Sequence, residues 1–295
     1  MEPVTLHPIV YNRTAHAWEN FVATDNTNAP GGNLLLFSWN INGLWSGTKK
    51  RLGPCLDLLE KNLKKLAKET KETTPKAIIC IQEFHGPLFE SLLGRPWIQN
   101  NWFVIAPVDI KTQPYDVITL VSTNLGPSAA FLLPFKHTAM GRRVIFVDLP
   151  FQIGGSHGTV LVRIGNTHLE SLDTAKTRKL QLEDITSQLS ADEVHCGIIG
   201  GDLNANAPSD EHLPEECGLT DVWSLGVEDG DAMTWGWTQK RWPHGRFDKF
   251  LLNRPDRMPP VKAKLIKAVK LPWSQDWITD HHCLVTILDC SLSVQ

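Results

Sequence analysis

A layered α/β fold around mixed sheet is what the sequence predicts, on three observations. Apolar runs of strand length recur from Leu34 to Leu288, helix-length amphipathic stretches separate some of them, and Pro and Gly are spread along the chain rather than gathered into a linker. No repeat with a period of roughly 20–50 residues is visible. The 295 residues are 42% hydrophobic and include 11 Trp, ample for one large core. The expected organisation is an N-terminal arm over 1–33 and a single domain over 34–295.

Residues 1–33 mix polar residues with Asn28-Ala29-Pro30-Gly31-Gly32, which punctuates rather than packs. A strand is predicted at 34–40, followed through a Gly-containing turn by a helix at 52–68, where Leu52, Leu56, Leu59, Leu63 and Leu66 share a face. Lys61, Lys64, Lys65 and Lys68 alternate there with Glu60 and Glu69, the pattern of a surface helix facing its own core. A strand at 77–82 and a short helical stretch at Pro87–Leu93 come next. Strands are predicted at 103–106, 117–122, 129–133, 143–149 and 159–166. A helix over 173–190 takes Asp173 as N-cap and places Leu180, Ile185 and Leu189 on one face. Strands at 196–200, 247–252 and 283–288 complete the pattern. Trp18, Trp39, Trp97 and Trp102 read as core, Lys49-Lys50-Arg51 as a solvated helix start and His282 as structural.

The net charge of −3 does not announce a nucleic-acid binder, although a local basic groove remains compatible with it. Six Cys show no Cys-x-x-Cys pair, and Cys80, Cys196 and Cys283 lie in or beside apolar runs, as expected of reduced thiols in an intracellular protein. The first 33 residues lack a basic head followed by an apolar core, and no stretch approaches a membrane span. Neither secretion nor membrane residence is expected.

Several apolar runs end in polar groups that a bare turn does not require. Ser38-Trp39-Asn40-Ile41-Asn42-Gly43-Leu44 and Gly201-Asp202-Leu203-Asn204 are the clearest, with Glu83 closing Ile78–Gln82, His168 following Leu161–Asn166, and Asp280-His281 preceding Cys283–Leu288. Carboxylates, carboxamides and imidazoles converging on one rim are what metal-assisted phosphoester hydrolysis requires.

The same residues resemble the exonuclease–endonuclease–phosphatase superfamily, which carries the Asn turn, Gln82-Glu83, Gly201-Asp202-Leu203-Asn204 and Asp280-His281 in this order. A narrower likeness is to the 5′-tyrosyl-DNA phosphodiesterase (tyrosyl-DNA phosphodiesterase 2) family. It rests on Thr167-His168-Leu169-Glu170-Ser171, Asp221-Val222-Trp223, Thr234-Trp235, Arg246-Phe247-Asp248 and Pro134-Phe135 leading to Met140-Gly141-Arg142. Three positions depart from that family: Asn42 stands where it has Asp, Asn206 where it has Arg, and Trp235-Gly236-Trp237 where it has Trp-Asp-Thr.

The resemblance implies a four-layer αββα sandwich of two mixed sheets flanked by helices. It implies Mg²⁺ or Mn²⁺ held by Glu83, Asn42 and Asp280, with Asp280 in an outer position. Asp202 would orient and deprotonate the attacking water, with Asn40 and Asn204 fixing its geometry. His168 and His281 would donate to phosphoryl oxygens, and Asp248 would hold His281. Arg142, Tyr115, Ser171 and Trp235 would meet the substrate, and Trp45 and Trp237 are weaker candidates for the same groove. The implied substrate is a DNA 5′ end carrying a tyrosyl adduct and its topoisomerase-derived peptide, which implies a nuclear location. Abasic DNA, RNA and phosphoinositide remain open as substrates on the same fold, as does a non-catalytic binder of nucleic acid or protein.

Overall fold

Two sheets form, and their central strands are buried on both faces. The computed structural model of the protein describes residues 1–23, 32–43, 47–71, 73–152, 159–226, 228–229, 232–238 and 244–290. Leu44, Trp45 and the segment Asn28–Gly31 therefore lie outside the described residues. The chain opens with β1 (Val4–Leu6), β2 (Ile9–Asn12), β3 (Ala17–Asn20), β4 (Asn33–Asn40), α1 (Thr48–Glu69) and β5 (Lys76–Phe84). It continues through α2 (Phe89–Leu93), α3 (Pro96–Asn101), β6 (Trp102–Ile105), β7 (Asp116–Ser122), β8 (Ala129–Pro134), β9 (Arg143–Gln152), β10 (Thr159–His168) and α4 (Ala175–Leu189). The last part holds β11 (Val194–Asp202), α5 (Leu213–Glu216), β12 (Thr220–Asp221), β13 (Glu228–Asp229), β14 (Asp248–Leu252), β15 (Pro260–Ile266) and β16 (Cys283–Asp289).

One sheet has the order β1-β8-β9-β10-β11-β14-β12 and the other β13-β15-β16-β4-β5-β7-β6-β2-β3. Successive side chains of β4 show how the layers stack. Leu34 and Leu36 join Ile145, Val147, Ile164 and Ile198 between the sheets, while Leu35, Phe37 and Trp39 face Leu52, Leu56, Leu59 and Leu63 of α1. On the far face, Val144, Phe146, Ile199 and Leu251 pack against Leu182, Ile185 and Leu189 of α4. The result is a four-layer αββα sandwich. Strands buried on both faces read as continuous apolar runs, which is why Leu34-Leu35-Leu36-Phe37 shows no alternation in sequence.

The segment 1–33 supplies β1 to one sheet and β2 and β3 to the other. Two local expectations need correction. Leu180 is exposed. The buried face of α4 runs through Arg178, Gln181, Leu182, Ile185 and Leu189, and the helix is capped at Thr174 without a side-chain bond rather than at Asp173. The phase is set by Arg178, which is fully buried because Asp210 takes its guanidinium through two bonds of 3.1 and 2.7 Å. Arg51 is buried as well: α1 begins at Thr48, and Arg51 Nη2 donates to the Asn42 carbonyl at 2.7 Å. Among the described residues no helix is long and apolar enough to cross a membrane.

Strand register sets the site. β4 and β5 run parallel with Asn40 beside Gln82, and β10 and β11 run parallel with His168 beside Asp202. β14 runs antiparallel to β11 and places Asp248 beside Asp202. The polar residues therefore gather at one end of the sandwich, where the two sheets part.

Candidate active site

Asn40 lies at the centre. Its Nδ2 donates to Glu83 Oε1 at 3.2 Å and to Asp202 Oδ2 at 2.9 Å, so one carboxamide links the carboxylates of the two sheets. Its Oδ1 accepts from the Asn42 backbone N–H at 2.9 Å, and Asp202 Oδ1 accepts from the Asn204 N–H at 2.9 Å. These paired turns bend the chain sharply: Asn42, Glu83 and Asn204 all have left-handed backbone, with φ of 53°, 50° and 49°. That conformation is unusual for Glu and costs about 1–2 kcal/mol there, strain of the kind found at functional sites. The pairing of β5 with β7 shifts register between Ile81 and Phe84, which frees Glu83 from the ladder. Gly43 and Gly201 are required by close approach, since a Cβ would stand 1.9 Å from the Glu83 carbonyl oxygen and 2.0 Å from that of Thr167.

Two buried histidines flank Asp202 in opposite protonation states. Burial lowers the His168 pKa to about 3, and the Arg142 guanidinium adds to the effect. Arg142 Nη1 lies 2.8 Å from His168 Nδ1; since guanidinium only donates, Nδ1 accepts and the ring proton sits on Nε2, 3.5 Å from Asp202 Oδ2. Burial opposes protonation of His281 too, but Asp248 and then Asp202 outweigh it and raise its pKa to about 10. His281 Nδ1 is 2.8 Å from Asp248 Oδ2, and its Nε2 is 3.7 Å from Asp202 Oδ2. Burial alone would raise the Asp202 pKa; His168, His281, Asn40 and the Asn204 amide together hold it below the ordinary carboxylate value. The site thus presents one buried anion between two N–H donors.

Asp202, Asp248 and His281 bring ligand-type atoms within 4.8 Å of one another, yet His281 uses Nδ1 on Asp248 and carries a second proton. That trio is an ion-paired set in which only His281 and Asp248 are hydrogen-bonded, with Asp202 3.7 Å beyond. Glu83 differs: among the described residues it has no ion-pair partner, and burial, opposed by Asn40 and His281, raises its pKa. Asp202 and Asp280 stand close enough to push it further the same way. A half-buried carboxylate with two like neighbours fits a divalent metal ion. Asn42 gives its Nδ2 to Asp280 Oδ1 at 2.7 Å, which leaves its Oδ1 as a ligand atom. Asp280 accepts from Trp235 Nε1 at 3.0 Å on its other oxygen, so it orients neighbours from behind.

The remaining expected residues line the surroundings. The Arg142 guanidinium lies 5.3 Å from the Tyr115 ring centroid, and its Nε is buried without a hydrogen-bond partner. Both residues, with Met140 and His168, line a cavity of about 380 Å³. Ser171 Oγ donates to Met140 Sδ at 3.1 Å. Trp235 stacks on Phe247 at 4.9 Å and 13°, so its indole is anchored on one face and at its N–H. Asn204 Nδ2 donates to the Leu169 carbonyl at 2.9 Å.

Supporting residues that carried no role in the sequence reading hold these groups in place. Glu170 accepts from Thr138 Oγ1 (2.7 Å), from the Ala139 and Met140 amides (2.8 and 3.0 Å) and from Gln181, fixing the turn that delivers Arg142. Gln82 Nε2 donates to Asn166 Oδ1 at 2.9 Å, a buried bridge between the sheets directly beneath the site. Thr279 Oγ1 donates to the Asn40 carbonyl at 2.8 Å and ties the Asp280-His281 segment to β4. Their signal was present in sequence as polar residues inside apolar runs, most visibly Gln82 and Asn166.

Residues 37–281 match the Endonuclease/Exonuclease/phosphatase family. No curated protein matches the chain. Among solved structures, TDP2 of D. rerio complexed with a single-strand DNA product superposes with a TM-score of 0.64 at 18% identity, covering 87% of this chain and 99% of that one. A truncated TDP2 of Caenorhabditis elegans gives 0.63 at 20% identity, covering 87% and 97%. An endonuclease/exonuclease/phosphatase of Bacteroides vulgatus gives 0.63 at 12% identity, covering 88% and 99%. At these identities the likeness is one of fold.

Proposed function

The chain belongs to the Endonuclease/Exonuclease/phosphatase family, and on that premise we propose that it is a Mg²⁺-dependent phosphodiesterase that cuts 5′-phosphotyrosyl bonds at DNA ends and leaves a 5′ phosphate. The observation that carries the chemistry is Asp202, a buried carboxylate kept anionic beside the N–H groups of His168 and His281. Asp202 takes a proton from a water whose oxygen attacks phosphorus in line with the leaving tyrosine. The P–O bond to tyrosine breaks and the phenolate departs. As charge builds on the phosphoryl oxygens, His281 as imidazolium and His168 as neutral donor stabilise it. When bound at Glu83 and Asn42, the metal ion would neutralise phosphate charge and act as a Lewis acid.

The tyrosyl substrate is supported by the cavity beside His168. Tyr115 and Arg142 form an aromatic and cationic wall of that cavity, suited to an aryl leaving group. A phenol with a pKa near 10 leaves more readily than a sugar alcohol, so no dedicated general acid is needed. The fold neighbour holding a single-strand DNA product supports a DNA end as the other part of the substrate, and such work belongs in the nucleus. Comparing initial rates on a 5′-phosphotyrosyl oligonucleotide, an abasic duplex, an RNA and a phosphoinositide tests the proposal. The phosphotyrosyl substrate should be fastest by at least about tenfold; a faster rate on any other would reassign the substrate.

A further inference from the structure

Beyond the strand ends, the loop between β15 and β16 carries an aromatic and basic surface that the chemistry above does not use. Trp273 is 60% exposed and Val269 43%. Lys270 lies with its ammonium 5.5 Å from the Trp277 ring centroid, and Trp277 meets Trp237 edge-on at 4.3 Å. Trp237 in turn stacks on His282 at 4.4 Å and 22°, next to the catalytic His281. The surface therefore packs against the residue that follows His281 in the chain.

The loop is preformed. Leu271 N–H donates to the Asp276 carbonyl at 2.8 Å, Ser274 N–H to the Leu271 carbonyl at 3.2 Å, and Ile278 N–H to the Val269 carbonyl at 3.0 Å. Leu271 and Ala268 are buried in the core beneath α1, so the exposed indole is held out on a fixed base. Little ordering entropy remains to be lost when a ligand stacks on it. Lys267 and Lys270 are exposed on the loop and Lys49 and Lys50 on the first turn of α1, while Asp276 is the loop carboxylate that stands outside the active site. Cys55 Sγ in α1 donates to the Ile278 carbonyl at 3.8 Å, which places the start of that helix beside the loop.

We propose that this surface is a platform for the bases of the nucleic-acid strand leading away from the scissile phosphate, with Trp273 as the stacking face and Lys270 as a backbone contact. The inference rests on the nucleic-acid reading of the active site. Flat indole faces beside ammonium groups suit a stacked polyanion. Among the described residues of this loop, one exposed Trp and one exposed Val offer too little apolar area for a stable protein partner, which needs about 800 Å² per side. Trp237, which supports Trp277 from below, stands at one of the three positions where this chain departs from the family it resembles.

Binding of a fluorescein-labelled oligothymidine to the Asp202→Asn protein, followed by anisotropy, tests the platform without cleavage. Adding Trp273→Ala should weaken binding about tenfold, and Trp273→Phe should restore most of it. Adding Lys270→Ala should lower the slope of log affinity against log salt by about one unit. Thermal unfolding of each variant checks that the exposed substitutions leave the fold intact. Equal affinities of the Trp273→Ala and parent proteins would overturn the inference, as would Trp273-dependent binding to anionic vesicles with none to oligothymidine. Cleavage by the otherwise wild-type chain reports separately on function. Loss of stacking in a protein that cuts no phosphotyrosyl bond would keep the platform and reject the proposed reaction.

Discussion

Asp248→Asn removes the charge that holds the His281 imidazolium while nearly preserving side-chain shape. His281 stands at about 10 because Asp248, 2.8 Å from its Nδ1, and Asp202 together overcome burial. Without Asp248 the remaining pulls oppose one another, burial downward and Asp202 upward, and the pKa should return toward the ordinary value near 6.5. At pH 8 a group with a pKa of 10 is about 99% protonated, whereas one at 6.5 is about 3% protonated. The variant should therefore lose about 30-fold in kcat/KM at pH 8, about fourfold at pH 7 and less than about twofold at pH 6. The assay is release of tyrosine from a 5′-phosphotyrosyl oligonucleotide with Mg²⁺ between pH 5.5 and 9.5. A loss of the same size at every pH would refute the claim that Asp248 acts through the charge of His281. Stability gives an independent sign. A raised folded pKa contributes stability below about pH 6.5 that is lost as pH rises toward 10, so the wild type should weaken over that window in urea and the variant should not.

Other consequences are as direct. Glu83→Gln should weaken Mn²⁺ binding by more than about tenfold in calorimetry, and unchanged affinity would move the metal elsewhere. Arg142→Ala should release His168 Nδ1, raising the imidazole titration only part of the way from about 3, since burial remains, by NMR and lowering kcat/KM about 100-fold. A His168 titration that stays put would mean that burial alone sets it. Leu56→Ala, which empties a fully buried contact between α1 and the sheet, should cost about 2–5 kcal/mol in urea unfolding. A cost near zero would mean that α1 does not stabilise the sandwich.

What was legible in sequence follows from where the signals are local. Asn40, Glu83, His168 and Asp202 end apolar runs, and a strand long enough to be buried on both faces announces its own polar terminus. The leucine spacing of α1 carried the helix in the same way. The strands β1 to β3 were missed because their side chains are mostly exposed or half-buried and show no clean alternation. β15 was missed for a similar reason, its lysines interrupting the apolar pattern. The face of α4 was misphased because a buried Arg178 looks polar until Asp210 is known to meet it. The pairing of Arg142 with His168, and so the neutral state of that imidazole, depends on a turn pinned by Glu170 across the sheet end, which no local pattern records.

The central claim is that Asp202 activates the water that displaces tyrosine from phosphorus. Tyrosine release from a 5′-phosphotyrosyl single-stranded oligonucleotide with Mg²⁺ should be rapid for the wild type. It should fall by at least about a thousandfold for Asp202→Asn, whose carboxamide keeps the shape but carries no charge and cannot take a proton. A folded wild type that releases no tyrosine, or an Asp202→Asn protein that releases it at the wild-type rate, would contradict the account.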